Sequence, residues 1–286
     1  MKSLSYAITG TNGQIGSFLV DYLRKRGHVV YELVRSEDKA KDKDYYKFFD
    51  LAKPQQIPSL KGIDVLIHTA YFFDTTHKNY TAINTIGTQT LFQRATTDHV
   101  KYAMFISTLS AHAAACSLYG KTKYQLEQLL IRENQNAIII RPGLVFHTSL
   151  QGITAAMDHV VKKYPVVPLI GRGKQLIYPC LLEELAQFIF TLSIQQPMIK
   201  QPIIAATEQA ITFKQLVNHL AIKRQKNILL FPVPFYVIYF LLKMIEFFGL
   251  TTGLRSDSLL GIQYASTKID FSATKNLGMR FSGLNV

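Results

Sequence analysis

Residues 9–16 read TGTNGQIG, a turn with three glycines at intervals of three residues. A short apolar run at residues 3–9 leads into it and predicts a β-strand. The segment 15–26, IGSFLVDYLRKR, follows with apolar residues at helical spacing and predicts an amphipathic helix. A glycine-rich turn between a strand and a helix opens a βαβ unit, so this stretch predicts a parallel sheet covered by helices.

The three glycines of this turn have different expected roles. Gly10 allows the tight turn, Gly13 lets the backbone approach a pyrophosphate, and Gly16 lets the helix pack closely on the strand. The helix N-terminus adds free N–H groups and the positive end of its dipole. An ordinary strand–helix turn is the alternative, which this placement disfavours. The predicted cofactor-binding residues of the turn are Gly10, Asn12, Gly13, Gln14, Ile15 and Gly16.

Short apolar runs typical of strands and segments with helical spacing continue to alternate up to about residue 150. Further strands are predicted at 28–34, 64–69, 102–107 and 137–140, and further helices at 82–97 and 118–133. Such an order implies right-handed βαβ connections. We therefore expect an α/β fold, a Rossmann-like doubly wound parallel sheet at residues 1–150 that binds NAD(P). A smaller C-terminal substrate-binding lobe, interleaved with it, is expected at residues 151–286.

The end of the second predicted strand is where cofactor choice is expected. An acidic residue there would bond the ribose hydroxyls of NAD, whereas an arginine suits the 2′-phosphate of NADP. The chain has Arg35 at this point, which favours NADP over NAD; a solvated arginine is the alternative. Asp50, followed by Leu51, could accept a hydrogen bond from the adenine amino group.

Tyr119 and Lys123 are four residues apart in a predicted helix, so they share one face. An ammonium beside a phenol is expected to lower the pKa of Tyr119 below its ordinary value of about 10. Tyr119 could then exchange a proton with a substrate hydroxyl or carbonyl. Taken alone the spacing is common, and a surface Tyr–Lys pair explains it equally well.

Several motifs together resemble the short-chain dehydrogenase/reductase superfamily, in particular its extended branch, the NAD-dependent epimerase/dehydratase family. The resemblance rests on Thr9–Gly16, Asp50-Leu51, Asn84, Ser107-Thr108, Tyr119 with Lys123, and Arg141-Pro142-Gly143, in that order. It covers residues 1–150 well, and PLIGRGKQLIYPCLLEELAQFI at 168–189 is similar to the family's segment with substrate contacts.

The resemblance implies a role for each matching residue. Tyr119 would be the general acid/base, and Lys123 would lower its pKa and bond the nicotinamide ribose. Thr108 or Ser107 would donate a hydrogen bond to the substrate oxygen, with Ser110 as a competitor for this role. The other implied residues are Asn84, which completes the catalytic set by ordering the site, and the cofactor neighbours His68, Thr69, Ala70, Pro142 and Gly143.

Two departures from the family limit what the resemblance implies about substrate. Only ten residues separate Thr108 from Tyr119, where sugar-nucleotide members have a longer insertion. The chain also has Leu182-Glu183-Glu184 where the family has valine followed by two aspartates. The substrate contacts of those members are therefore not transferred.

The composition narrows the partners. The formal charge of +13 would suit an anionic cofactor and substrate, but general surface charge explains it simply, and no long basic block indicates nucleic acid. Cys116 and Cys180 make neither a disulfide framework nor a metal site, which favours a reducing compartment. With no signal peptide recognised at the N-terminus, we expect a cytoplasmic protein without a metal.

Residues 228–242 carry no charge and look at first like a membrane segment. Pro232 and Pro234 restrict a helix to about Phe235 onward. From there to Phe248 it would span only ~21 Å at ~1.5 Å per residue, short of the ~30 Å hydrocarbon core. We expect an amphipathic lid or docking helix, and peripheral membrane contact stays open.

The expected function is NAD(P)-dependent oxidoreduction of a secondary alcohol or ketone, on a sugar-nucleotide or bulky hydrophobic small-molecule substrate. The first alternative is a sugar-nucleotide epimerase/dehydratase; an epimerase would use the same residues and leave the cofactor unchanged. The second is a non-catalytic NAD(P)-binding regulatory or assembly protein. A homodimer formed through the helix at 118–133 is an expectation from the family only.

Overall fold

The computed structural model describes residues 3–133, 137–147, 152–249, 254–266 and 268–284. Its strands are β1 (Ser5–Thr9), β2 (Val29–Val34), β3 (Tyr46–Phe48), β4 (Val65–His68), β5 (Tyr102–Ile106), β6 (Ala137–Pro142), β7 (Leu144–Phe146), β8 (Val166–Ile170), β9 (Leu176–Ile177), β10 (Pro179–Leu181), β11 (Ile203–Ala205), β12 (Ile211–Thr212) and β13 (Leu229–Val233). Its helices are α1 (Gln14–Arg24), α2 (Tyr80–Thr97), α3 (Leu118–Arg132), α4 (Gly152–Lys163), α5 (Leu182–Gln195), α6 (Phe213–Lys223), α7 (Phe235–Phe247), α8 (Ser256–Gln263) and α9 (Ser272–Asn276).

The central sheet confirms the predicted fold class. Seven strands of the described ranges lie in the order β11-β6-β5-β4-β1-β2-β3, and every neighbouring pair is parallel. The order reverses between β1 and β4, where Thr9 pairs with His68. Ligands of open α/β sheets bind outside the carboxyl ends of the strands at such a reversal. The sheet therefore places the glycine turn after β1 at the expected binding crevice.

Two apolar clusters cover the two faces of this sheet. On one face, Leu19 and Leu23 of α1 pack with Leu185 and Ile189 of α5. On the other, α2 and α3 pack together over the sheet and contribute Leu91, Leu126 and Leu130. Helix α1 buries the apolar stripe that its spacing predicted, with Leu19 and Leu23 in the core.

The second half of the chain contributes to the sheet as well as to a separate cluster. Strand β11 extends the sheet beside β6, while α4, α6, β8 and α8 enclose a third apolar cluster with part of α7. Helix α8 packs against both α3 and α7. The predicted boundary at residue 150 falls outside the described residues and stays a prediction.

Helix α7 begins where the prolines predicted, with Pro234 at its N-cap. Proline can precede a helix without cost because the first N–H groups of a helix have no internal partner. Across the described ranges, no helix is both long and apolar enough to cross a membrane.

Candidate active site

The glycine turn after β1 is held by its own backbone. Gly10 has φ of +68°, and its carbonyl accepts a hydrogen bond from Gly13 N at 2.9 Å. A Cβ on Gly16 would lie 2.4 Å from the Gly10 oxygen, and one on Gly10 would lie 2.7 Å from Ala70 N. A Cβ on Gly13 would be 3.3 Å from its nearest neighbour. Packing therefore requires glycine at positions 10 and 16, whereas position 13 is less crowded.

This turn also fits the pyrophosphate of a dinucleotide. Gly13 caps α1 without a side-chain hydrogen bond, and the first turn of α1 has no acidic residue. The hydroxyl of Thr11 is buried and has no hydrogen-bond partner in the described part of the chain. Free N–H groups and an unpartnered buried donor suit an anion. Sequence reasoning missed Thr11, although a hydroxyl inside the turn was its visible signal.

Arg35 and Asp50 both lie at strand ends. Arg35 directly follows β2 and is exposed, as a contact with a ribose phosphate would require. Asp50 is partly exposed and accepts a hydrogen bond from Ala52 N at 3.0 Å. Leu51 is buried, 7% exposed, against Gly87 of α2. The preference for NADP and the adenine contact of Asp50-Leu51 stay predictions.

His68 lies at the end of β4, and its side chain points into the core. Its side chain is fully buried, with Nδ1 2.7 Å from Thr9 Oγ1 and Nε2 3.0 Å from Thr88 Oγ1. Burial, with a smaller contribution from the nearby Lys123 charge, lowers the pKa of His68 to about 3, so the ring is neutral. A ring enclosed in this way has no free face for a cofactor. It fixes the ends of β1 and β4, while Thr69 and Ala70 are the partly exposed residues there.

The start of α3 is anchored from two sides. Ser117 caps the helix, with its hydroxyl accepting from Gly120 N at 3.0 Å. The carboxylate of Asp257, on α8, accepts from Leu118 N at 2.6 Å and from Tyr119 N at 3.1 Å. A carboxylate at a helix N-terminus satisfies free donors and favours the dipole. A local cap and a carboxylate from a distant segment therefore fix the backbone from which the Tyr119 side chain extends.

Tyr119 lines a cavity together with Thr108. Its ring packs edge-on against Tyr71, with centroids 5.0 Å apart, and is stacked with Phe73. Burial raises the pKa of Tyr119, the Tyr80 hydroxyl adds to the rise, and the nearby Thr108 hydroxyl opposes it. The lowered pKa expected from Lys123 is therefore not found in the protein alone.

Lys123 lies one turn further along α3 and is only 2% exposed. Its Nζ donates to the Ile106 carbonyl at 2.7 Å and lies 4.7 Å and 4.5 Å from the ring centroids of Tyr71 and Phe105. Burial lowers the pKa of Lys123 to about 7, against the opposing influence of Glu127. The side chain is thus balanced between its charged and neutral forms near neutral pH.

The side chains of Ser107 and Thr108 lie on different sides of the backbone: Ser107 contacts Glu127, and Thr108 lines the cavity. Ser107 is buried and its hydroxyl donates to Glu127, which also binds Arg141 through Nε at 2.9 Å and through Nη2. This engagement corrects Ser107 as a substrate-binding candidate and leaves Thr108 and Ser110, both of which line the cavity beside Tyr119. Sequence reasoning missed Glu127, since nothing in the motif marks a buried carboxylate.

Asn84 is fully buried on α2 and holds a loop in place. Its Oδ1 accepts from Phe72 N at 2.9 Å, and its Nδ2 donates to the carbonyls of Phe72 and Tyr80, each at 3.0 Å. These bonds occupy the amide and leave no free group for a substrate. These contacts suit the ordering role that the resemblance implies, and the place of Asn84 in the catalytic set stays a prediction.

A cavity of about 680 Å³ opens beside Tyr119. Thr108, Ser110, Pro142 and Gly143 line it with mostly apolar side chains from the second half of the chain, among them Leu144, Leu176, Ile177, Ile262 and Ile269. Its two charged lining residues bind the protein, because Arg255 donates to the Phe73 carbonyl and Asp257 caps α3. A Cβ on Gly143 would lie 2.0 Å from the Tyr178 oxygen, so this wall requires glycine.

The fold is shared with proteins of known structure. The UDP-glucose 4-epimerase of Thermotoga maritima, solved with UDP-glucose, has a TM-score of 0.73 and 17% identity, over 98% of this chain and 94% of that one. The dTDP-4-dehydrorhamnose reductase of Bacillus anthracis, solved with NADP, has a TM-score of 0.69 and 14% identity, over 91% and 98%.

Sequence comparison reaches the same group of proteins. A UDP-glucose 4-epimerase of Vibrio cholerae is 24% identical in an alignment 263 residues long, and the match covers 81% of this chain and 79% of that protein. The family model described as the NAD dependent epimerase/dehydratase family matches residues 6–176, more than half of the chain. This chain therefore belongs to the NAD-dependent epimerase/dehydratase family.

Proposed function

We propose that this chain is an NAD(P)-dependent oxidoreductase that interconverts a secondary alcohol and a ketone, with Tyr119 as the proton donor and acceptor. The observation that carries the proposal is that Tyr119 and Thr108 line the same cavity of about 680 Å³ with their hydroxyl groups. The same hydroxyl pair would bond a carbonyl oxygen that enters this cavity. When bound, NAD(P) would supply or accept the hydride.

Lys123 would support the proton transfer. Since its pKa lies at about 7, its ammonium could release a proton towards the tyrosine side of the site or hold one there at little cost. Glu127 would influence this step through Lys123, because its negative charge favours the protonated lysine. These roles remain to be tested together with the preference for NADP, which rests on the exposed Arg35.

The cavity favours a bulky hydrophobic substrate. Most of its lining is apolar, and of its two charged side chains Asp257 caps α3 while Arg255 gives one of its five N–H donors to the Phe73 carbonyl. A nucleotide sugar would bring a pyrophosphate, which needs cations or free N–H donors. Sugar-nucleotide epimerisation is nevertheless the second candidate, because the similar proteins include two UDP-glucose 4-epimerases.

The first test is a binding titration with NADPH and NADH. Tighter binding of NADPH, lost in Arg35→Ala, would support both the glycine turn and the Arg35 assignment; roughly a tenfold change corresponds to losing a charge-assisted bond. Lys25→Ala, an exposed position at the end of α1, is the matched control. If neither cofactor binds at millimolar concentration, the proposal fails.

The second test measures turnover over a panel of apolar ketones and of UDP-sugars. Tyr119→Phe is expected to lower kcat by about 10²–10⁴-fold, the usual contribution of a general acid/base. Tyr124→Phe, on the same helix and outside the cavity lining, is the control and should keep activity. Product formation with net NAD(P)H consumption supports the oxidoreductase, and conversion without it supports the epimerase. Cofactor binding with no turnover on any class would favour a non-catalytic role.

A further inference from the structure

Helix α7 presents apolar side chains to solvent along most of its length. We define the α7 face as Tyr236, Val237, Phe240, Leu241, Met244 and Phe247, which are between 47% and 86% exposed. These positions recur at intervals of three and four residues, so they form one continuous stripe. Leu229 and Phe231 on the preceding β13 are 66% and 58% exposed and add to the apolar surface. A patch of this kind marks an interaction site.

The charged groups of α7 leave this stripe apolar. Glu246 turns towards α8, where its carboxylate accepts from Ser256 N and from Ser256 Oγ, each at 2.7 Å. Lys243 is exposed and lies 3.8 Å from the same carboxylate. The acidic group of the helix is therefore occupied with capping α8, and its basic group stays at the surface.

Two segments near α7 are basic, although one of their arginines, Arg224, is paired with Asp158 at 2.6 Å. Residues 159–182 contain four lysines or arginines, residues 209–245 contain five, and neither segment contains an aspartate or glutamate. Lys226 donates to the carbonyl of Lys162, and the Lys163 ammonium lies 5.3 Å from the Tyr164 ring centroid. We define the basic cluster as Lys162, Lys163 and Lys226, which are exposed at and just beyond the ends of α4 and α6.

The basic cluster adjoins α7 through a second cavity. Tyr164 lines an apolar cavity of about 800 Å³ together with Ile238 and Leu242, which are the inward residues of α7. Pro165, two residues after Lys163, also accepts a hydrogen bond from Leu229 N at 2.8 Å, so the lysines adjoin the exposed start of β13, the strand that leads into α7. An apolar stripe next to basic side chains is the arrangement of helices that lie in the plane of a membrane surface.

We propose that the α7 face docks on an anionic lipid surface. Its apolar side chains would enter the boundary between headgroups and acyl chains, and Lys162, Lys163 and Lys226 would meet lipid phosphates. A second copy of this chain is a poorer occupant, because a symmetric interface would bring two such basic clusters towards each other. The proposal does not depend on the reaction proposed for Tyr119.

The test is co-sedimentation with vesicles of phosphatidylcholine alone and of phosphatidylcholine mixed with phosphatidylglycerol. The wild-type protein should bind the mixed vesicles at least about tenfold more tightly, and high salt should weaken that binding. Met244→Glu should reduce binding by about tenfold or more, since it places a charge in the apolar stripe that would enter the lipid. Met198→Glu is the matched control, because Met198 is 94% exposed and lies outside the α7 face.

A second variant pair tests the electrostatic part. Lys162→Glu with Lys163→Glu should reduce binding to the mixed vesicles by about tenfold, whereas Lys61→Glu, an exposed lysine of the first half, should reduce it less. Equal thermal unfolding of the Met244 and Met198 variants would show that folding is not the cause. The proposal is overturned if wild type binds neither vesicle or if the two methionine variants bind alike. It is also overturned if light scattering shows a dimer that Met244→Glu dissociates and the wild-type protein does not bind the vesicles.

Discussion

Helices α3 and α7 depart from the usual placement of residues in opposite directions. Helix α3 buries two ionisable side chains, Lys123 at 2% and Glu127 at 0% exposure, whereas α7 exposes Phe240 at 68% and Phe247 at 86%. A buried charge loses hydration, and an exposed phenylalanine gains nothing from the hydrophobic effect. The buried charges cost folding free energy and the exposed phenylalanines contribute little to it, and such departures concentrate at functional positions.

The two helices differ in where compensation is found. In α3 the carboxylate of Glu127 has Arg141 and Ser107, and the ammonium of Lys123 has the Ile106 carbonyl. For the α7 face, the described residues offer no covering segment of the chain. The buried charges of α3 thus find their partners within the protein. The α7 face would gain burial only by contact with a second molecule or a surface. The predictions below test this contrast.

The largest effect is expected at Glu127. Glu127→Ala should lower the free energy of unfolding by about 3 kcal/mol, because it leaves the partly buried Arg141 and the buried Ser107 hydroxyl without their partner. Urea unfolding at neutral pH measures this loss. Gln128→Ala, one position further and exposed, is the control and should stay close to wild type. A loss below about 1 kcal/mol would show that the ion pair is not a structural element of α3.

Lys123 should behave in the opposite sense. Lys123→Met should raise the free energy of unfolding near pH 6 by roughly 1–3 kcal/mol, because the charge no longer has to be buried; the orphaned Ile106 carbonyl offsets part of the gain. Lys121→Met, on the exposed side of the same turn, is the matched control.

The pH dependence of the Lys123 effect gives a second readout. The folded pKa of about 7 lies below the ordinary value of 10.5, so the unfolded chain binds more protons between these two pH values. The contribution of Lys123 to stability therefore rises with pH across this window, and it is most unfavourable below pH 7. The advantage of Lys123→Met should shrink between pH 7 and pH 9. An advantage that is constant with pH would contradict a buried, titrating lysine.

An intermediate effect is expected where α8 joins α3. Asp257→Ala should cost about 1 kcal/mol of stability, since Leu118 N and Tyr119 N lose their acceptor at the helix start. Asp257→Asn should recover part of the loss, because an amide oxygen accepts one of the two bonds. Thermal unfolding of both variants checks the order. If Ala and Asn lose equally, the charge at the helix end matters more than the acceptor.

Periodicity and motif order predicted the sheet, the glycine turn and the positions of Tyr119 and Lys123 on one helix, because these depend on local spacing. Asp257 was not predicted, since it reaches the start of α3 from a different part of the chain and carries no motif. The burial of the His68 side chain was not predicted for a related reason. Its place at a strand end was foreseen, but the direction of its side chain is decided by packing against Thr9 and Thr88.

The smallest effect is expected on the α7 face. Met244→Ala should change the free energy of unfolding by no more than about 0.5 kcal/mol, because a side chain that is 55% exposed loses little packing. Leu242→Ala, two residues earlier and 8% exposed, should cost about 2–4 kcal/mol as a buried truncation. Equal losses for the two variants would mean that the α7 face is covered within the folded chain. A large loss of stability for Leu242→Ala and a small one for Met244→Ala would show that the α7 face contributes little to folding. If Met244→Glu also keeps its stability but loses vesicle binding, the α7 face serves binding to the lipid surface.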